Sequence, residues 1–331
     1  MDWRTQIAVN RRKTLIVLFS FLLLYFLMGW FIAALLSPNL AMFSIAQLLD
    51  ANTQYIILSF LAFSVAFILI AIFFGSRLSI TGANAELVTK DSALYQMLYN
   101  VVEEMKIASK LQFMPKIYVL DVDYCNAFAS GFDEKKSLIA VSKPLLSILS
   151  REELQAVVAH ELSHIQHKDT MVITLVMVCA NLLVNVIDVL CRRMLYGNQR
   201  SKKRNESGGV LMIFILLLRF ILPVLTAFMV MYVSRRREFL ADAGCVSMTR
   251  NPKGLAQALR KIHKAHEGSK KQYQDAYKNT SNESFRSLAY IYSPSECGIF
   301  NLYDMNMWFS THPSLKDRLK ALGYDHIDAG G

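Results

Sequence analysis

Ala159-His160-Glu161-Leu162-Ser163-His164-Ile165 reads H-E-x-x-H. On a helix, His160 and His164 stand one turn apart on the same face, where two imidazoles can grip one Zn²⁺ from one side. Glu161 falls on the neighbouring face, within reach of a water on that metal. Zinc lowers the pKa of such a water to about 7, so a carboxylate can take its proton and direct the oxygen at a carbonyl carbon. The flanking residues predict the helix. Ser150 followed by Glu153 makes a capping box. Glu152 and Glu153 sit in the first turn, where the helix dipole favours anions. Leu154, Val158, Leu162 and Ile165 recur at helical spacing. The motif arises by chance in roughly one such chain in a hundred, so it needs a third ligand to carry weight.

The rest of the chain points to a membrane. Its 331 residues are 53% hydrophobic, the mean hydropathy is +0.30, and the apolar residues are clumped in runs. The net charge is +10. Many basic residues flank the apolar runs, as in Arg11-Arg12-Lys13, Arg192-Arg193 and Arg235-Arg236-Arg237. That pattern fits the positive ends of membrane helices and argues against a nucleic-acid partner. The five cysteines, Cys125, Cys179, Cys191, Cys245 and Cys297, contain no C-x-x-C pair. They read as reduced thiols, with no disulfide framework and no thiolate zinc site.

Residues 1–13 are a short basic N-terminus. Residues 14–36 and 54–75 carry no charge, and each is about long enough to cross a bilayer. The first run is too long for a typical signal-peptide core. Residues 14–75 thus read as a two-span hairpin. The connector 37–54 has no Lys or Arg and lies outside, with residues 1–13 and everything after 76 in the cytoplasm. Residues 76–169 look soluble and form the first part of the catalytic domain. Helical spacing covers 91–110, and β-like runs cover 117–120 and 138–141. Between those runs lies Asn126-Ala127-Phe128. The expected result is a small sheet beside the zinc helix, with an edge that could pair with an extended substrate backbone.

Residues 170–233 hold a second apolar hairpin. The run 170–190 carries one charge, Asp188, and the run 209–233 carries one, Arg219. Asn181, Asn185 and Asp188 make a polar stripe. Asp188 and Arg219 either pair across the hairpin or snorkel separately. The connector 191–208 carries six basic residues, against the positive-inside rule if both runs cross. Either the rule is overridden or the hairpin does not fully cross.

Residues 234–331 form the second part of the domain. Glu238 is the best candidate for the third ligand, completing a His₂Glu set with one open position. Asp242 lies one turn further on the same face, where it can orient a neighbouring side chain. His164 stands about 9 Å before the third apolar run and Glu238 about 8 Å after the fourth, so a helical hairpin returns both to one height. Residues 252–267 look helical. Residues 268–299 are polar with low periodicity and read as a mobile surface segment, a lid or an insert. His167, His263, His266 and His326 read as solvated histidines without a catalytic role.

Three motifs resemble the HtpX-type membrane zinc metallopeptidases, relatives of the CAAX prenyl proteases. They are Asn126-Ala127-Phe128-Ala129-Ser130-Gly131, Val158–His164 with its H-E-x-x-H, and Ser234-Arg235-Arg236-Arg237-Glu238-Phe239-Leu240-Ala241-Asp242. The resemblance implies zinc ligands His160, His164 and Glu238, with Glu161 as general base. It implies a substrate lying along Asn126, Ala127 and Phe128. It suggests that the tail motif with His312 and Arg318 supplies a group for the oxyanion. The implied architecture is a mainly α membrane protein with a small β-sheet: a zincin-like cytoplasmic metalloprotease domain on about four transmembrane helices. The implied protein is an endopeptidase of the bacterial inner membrane with one Zn²⁺ per subunit. Its partners are the lipid bilayer and damaged membrane proteins or unfolded polypeptides. Two rivals remain. An intramembrane protease is disfavoured by the charges around the motif, Arg151, Glu152, Glu153, Lys168 and Asp169. A non-enzymatic scaffold or holdase with a structural zinc needs four closing ligands and no base such as Glu161.

Overall fold

The computed structural model describes residues 3–36, 45–175, 235–299 and 313–324. His312, His326, Cys179, Cys191, Asn181, Asn185, Asp188, Arg219 and the connector 191–208 lie outside the described residues.

Two helices carry the apolar runs of the N-terminal part. Helix α1 spans Trp3–Leu36, so the basic N-terminal residues continue into the helix rather than preceding it. After the short α2 (Ile45–Leu48), α3 spans Ala51–Ile80. Asp50 caps α3 by accepting the Thr53 N–H at 3.0 Å. The stretches Arg12–Ala34 and Ala51–Ile80 are long and apolar enough to cross a membrane, with mean hydropathies of 2.5 and 3.0. The two helices pack closely at Gly29, where a Cβ would sit 2.9 Å from Ile57 Cα. Leu15, Phe19, Phe63 and Phe73 point outward and exposed, a surface suited to lipid and not to water.

A four-stranded sheet follows, made of β1 (Ala85–Val88), β2 (Lys116–Leu120), β3 (Ala127–Ser130) and β4 (Leu138–Ser142) in the order β1-β2-β4-β3. β2 and β4 run parallel, while β1 and β3 are antiparallel edge strands. Both expected β runs are thus strands, and β3 is an edge. Every residue of β3 and β4 is buried, so these strands read as continuous apolar runs rather than alternating ones. Helix α4 (Gln96–Ser109) turns Leu98, Val101, Val102 and Met105 into the core. Helix α5 (Lys143–Ile148) leads into α6 (Arg151–Gln166), which bears the motif. The capping box is present in both directions. The Glu153 N–H donates to Ser150 Oγ at 3.3 Å, and the Ser150 N–H donates to Glu153 Oε2 at 2.7 Å.

Helix α6 does not run unbroken into the apolar run that begins at residue 170. It stops at Gln166, Lys168 takes a left-handed φ of +59°, and helix resumes over 169–175. The break turns Asp169 back onto His164, which a continuous helix would not do.

The C-terminal part supplies α7 (Arg235–Thr249), α8 (Pro252–Gly268), α9 (Lys270–Asn279), α10 (Glu283–Arg286) and α11 (Leu315–Ala321). The segment 268–299 departs from the surface reading. Tyr273, Tyr277, Glu283, Arg286, Tyr290, Ile291 and Tyr292 are buried. Tyrosine rings fill core while their hydroxyls find partners. Tyr124 and Tyr290 each donate to Glu283 at 2.6 Å, and Arg286 bonds the same carboxylate at 3.0 Å. A search for aliphatic periodicity does not register such a core. His266 is likewise fully buried rather than solvated. Its Nε2 lies 3.0 Å from the Tyr277 hydroxyl, and burial lowers its pKa to about 4.

α7 crosses α6 at Gly244. A Cβ there would overlap the Ser163 hydroxyl and lie 2.9 Å from Ser163 Cβ. Gly244→Ala must therefore push the helices apart. The expected result is a loss of about 1–3 kcal/mol in stability, read as a lowered Tm, with weakened metal retention in the same sample. Unchanged Tm and metal content would show that this close approach does not matter.

Candidate metal centre

α6 and α7 bring three donors to one point. His160 Nε2 and His164 Nε2 are 3.2 Å apart. Glu238 Oε2 lies 3.6 Å from the first and Oε1 3.6 Å from the second. All three residues are buried. A tetrahedral ion with bonds of about 2.0–2.1 Å sets its donors about 3.3 Å apart, so the triangle fits such an ion. Among the described residues this is the one grouping of His, Cys, Asp and Glu that could hold a metal.

The other ring nitrogens set which nitrogen of each imidazole faces the cluster. His160 Nδ1 lies 2.9 Å from Asp242 Oδ1, and His164 Nδ1 lies 3.1 Å from Asp169 Oδ2. A carboxylate at Nδ1 holds the proton there and leaves Nε2 as a lone pair. Burial works to lower the His160 pKa, but Asp242 and Glu238 outweigh it and raise it to about 9. Those carboxylates draw positive charge to this spot, whether proton or metal. Burial works to raise the Asp169 and Asp242 carboxyls too. His164 and Arg237 beside the first, and Arg318 and His160 beside the second, win and hold both below the usual range.

Charge makes the same case. Glu161, Glu238, Asp242 and Asp169 are buried together with Arg237 and Arg318. With both imidazoles neutral and all four carboxylates ionised, as metal binding requires, two guanidiniums leave two negative charges, which one divalent cation would neutralise. Arg318 donates to Asp242 twice, from Nε at 3.0 Å and from Nη2 at 2.7 Å, and its Nη1 stands 3.8 Å from Glu238 Oε2. Neither oxygen of Glu161 has a hydrogen-bond partner among the described residues, although the side chain is 1% exposed. Burial raises its pKa, and the neighbouring histidines oppose the rise.

The structure therefore brings together His160, Glu161, His164, Glu238, Asp242 and Arg318. His312 lies outside the described residues. Asn126, Ala127 and Phe128 are paired on both sides. Ala127 and Phe128 pair with β4 on one side, and the chain's own residues 290–292 bond all three on the other. In this structure the outer edge of β3 is therefore occupied by the chain itself. Asp169 was missed as a site residue. Its position five residues after His164 was the available signal, but it reads as one more solvated charge unless the helix breaks at Lys168.

Fold and site define a membrane-associated metallopeptidase. Residues 92–325 match Peptidase family M48, and the chain belongs to that family. It is similar to the Protease HtpX homolog of Helicobacter pylori strain J99, at 33% identity over 96% of each chain. It is also similar to the Protease HtpX homolog of Dictyoglomus thermophilum, at 34% identity over 96% of this chain and 92% of the relative. The crystal structure of S. mikatae Ste24p aligns with a TM-score of 0.42 and 18% identity, over 97% of this chain and 67% of that one. Family membership sets aside the reading of a non-enzymatic scaffold.

Asp169→Ala removes the carboxylate behind His164. Metal affinity should fall about 10–100-fold, measured by competition with a chelator. Unchanged affinity would show that Asp169 does not orient the ring.

Proposed function

We propose that the chain is an integral-membrane zinc endopeptidase that clears damaged or misfolded membrane proteins. In this reading two apolar hairpins, 14–75 and 170–233, anchor a zincin-like domain. The domain faces the cytoplasm from a bacterial inner membrane. One observation carries it: Glu161, a buried carboxylate with no hydrogen bond among the described residues, stands one residue from the first imidazole of a buried His-His-Glu cluster. A structural metal site has no use for such a group, whereas hydrolysis requires a base there.

His160, His164 and Glu238 would hold the ion. Zn²⁺ bound there supplies Lewis acidity and lowers the pKa of water. Glu161 takes the proton from the attacking water and later gives it to the leaving amine nitrogen. Burial keeps that proton on Glu161 between the two transfers, consistent with its raised pKa. Asp242 and Asp169 keep both rings oriented, and Arg318 holds Asp242 in place. His312 is assigned, by family resemblance, to the developing oxyanion. Membrane substrates are favoured by the outward apolar face of α1 and α3 beside the domain.

Glu161→Gln should keep its zinc and lose turnover of an unfolded protein by about 10²–10⁴-fold. Glu238→Ala should lose zinc and activity together. Zinc content by elemental analysis with a fluorescent casein assay reads both. Wild-type turnover in zinc-loaded Glu161→Gln would remove the base from the mechanism.

A further inference from the structure

Residues Tyr290-Ile291-Tyr292 run antiparallel along the outer edge of β3, with Phe128 opposite Tyr290. Their backbone is held by groups that would suit any extended peptide. The Ile291 N–H donates to the Ala127 carbonyl at 2.9 Å. The Asn126 carboxamide grips Tyr292 at both ends, donating to its carbonyl at 2.9 Å and accepting its N–H at 3.4 Å. Arg318 Nη1 donates to the Ile291 carbonyl at 2.6 Å, and the same nitrogen lies 3.8 Å from the ligand Glu238. Backbone pairing of this kind reads no sequence, and it lies one guanidinium away from the metal donors.

We propose that Tyr290-Ile291-Tyr292 is a built-in pseudosubstrate, a strap that occupies the peptide groove and that an unfolded polypeptide displaces. The proposal rests on the peptidase reading above. A second extended chain cannot reach the Ala127 carbonyl or Arg318 while the strap is in place. Exchange is close to balanced for the backbone, because an entering peptide offers the same N–H and C=O groups. The strap's side-chain anchors therefore set the resting state. Tyr290 donates to Glu283, which Arg286 and Tyr124 also bind. The Tyr292 hydroxyl lies 2.5 Å from His263 Nδ1 and 3.2 Å from Cys297 Sγ. None of these anchors belongs to the metal site. The competing structural account is a permanent fifth strand, with substrate bound elsewhere.

The test uses the full-length, zinc-loaded protein in detergent, with fluorescent unfolded casein. Tyr290→Phe removes one anchor and leaves the metal site intact. Its kcat/KM should rise about tenfold, the effect of one lost bond to a charged group on the open–closed balance. In Glu161→Gln, saturating casein should speed amide hydrogen exchange at Ile291 and Tyr292. Casein bound with those amides still protected would overturn the proposal. So would a Tyr290→Phe rate at or below wild type with full zinc content. If neither wild type nor Tyr290→Phe cleaves casein, the peptidase reading falls and the strap proposal with it. Cleavage by wild type with unchanged protection removes the strap alone.

Discussion

Two imidazole nitrogens face each other at 3.2 Å across a buried space, with a carboxylate closing the triangle. Left to themselves, two lone pairs and an anion repel, and burial removes the water that would screen them. The surrounding elements hold them together. The capping box fixes the start of α6. The left-handed turn at Lys168 swings Asp169 behind one ring, while α7 carries Asp242 behind the other. Arg318 reaches across from α11 and binds Asp242 through two nitrogens, a geometry that lysine could not reproduce. The site is thus assembled from three helices separated by long stretches of chain, and its ion pairs surround a space that a divalent ion would fill.

The sheet has a narrower task. It places β3 against α6, and β3 meets the rest of the molecule at its outer edge. That edge is closed by 290–292, a piece of the segment whose buried tyrosines join the main core by their rings and pair their hydroxyls with polar partners. Arg286 of that segment also donates to the Thr81 carbonyl at 3.0 Å, at the end of α3. The same guanidinium thus links the end of α3 to Glu283, which also binds Tyr290.

Much of this was legible in the sequence. His160, Glu161 and His164 follow from a short-range pattern with a known helical period. Glu238 is legible from its place just after an apolar run, one turn before Asp242. The two N-terminal apolar helices followed from uncharged length. What escaped notice depends on long-range contact or on a local break. Asp169 acts on His164 only because the backbone turns at Lys168. Tyr290 and Glu283 are buried because residues far away in the chain bury them. A polar composition hides such a core, since tyrosine and glutamate look solvated until a partner is known. Asn126 reads as part of a strand that holds extended chain, but no local pattern links it to Tyr292, 166 residues away.

X-ray absorption at the zinc edge of the metal-loaded protein tests the central claim most directly. A His-His-Glu site gives nitrogen and oxygen scatterers at about 2.0–2.2 Å, with the outer-shell signature of two imidazoles and no sulfur. A shell at about 2.3 Å from a thiolate, or any imidazole count other than two, would contradict it.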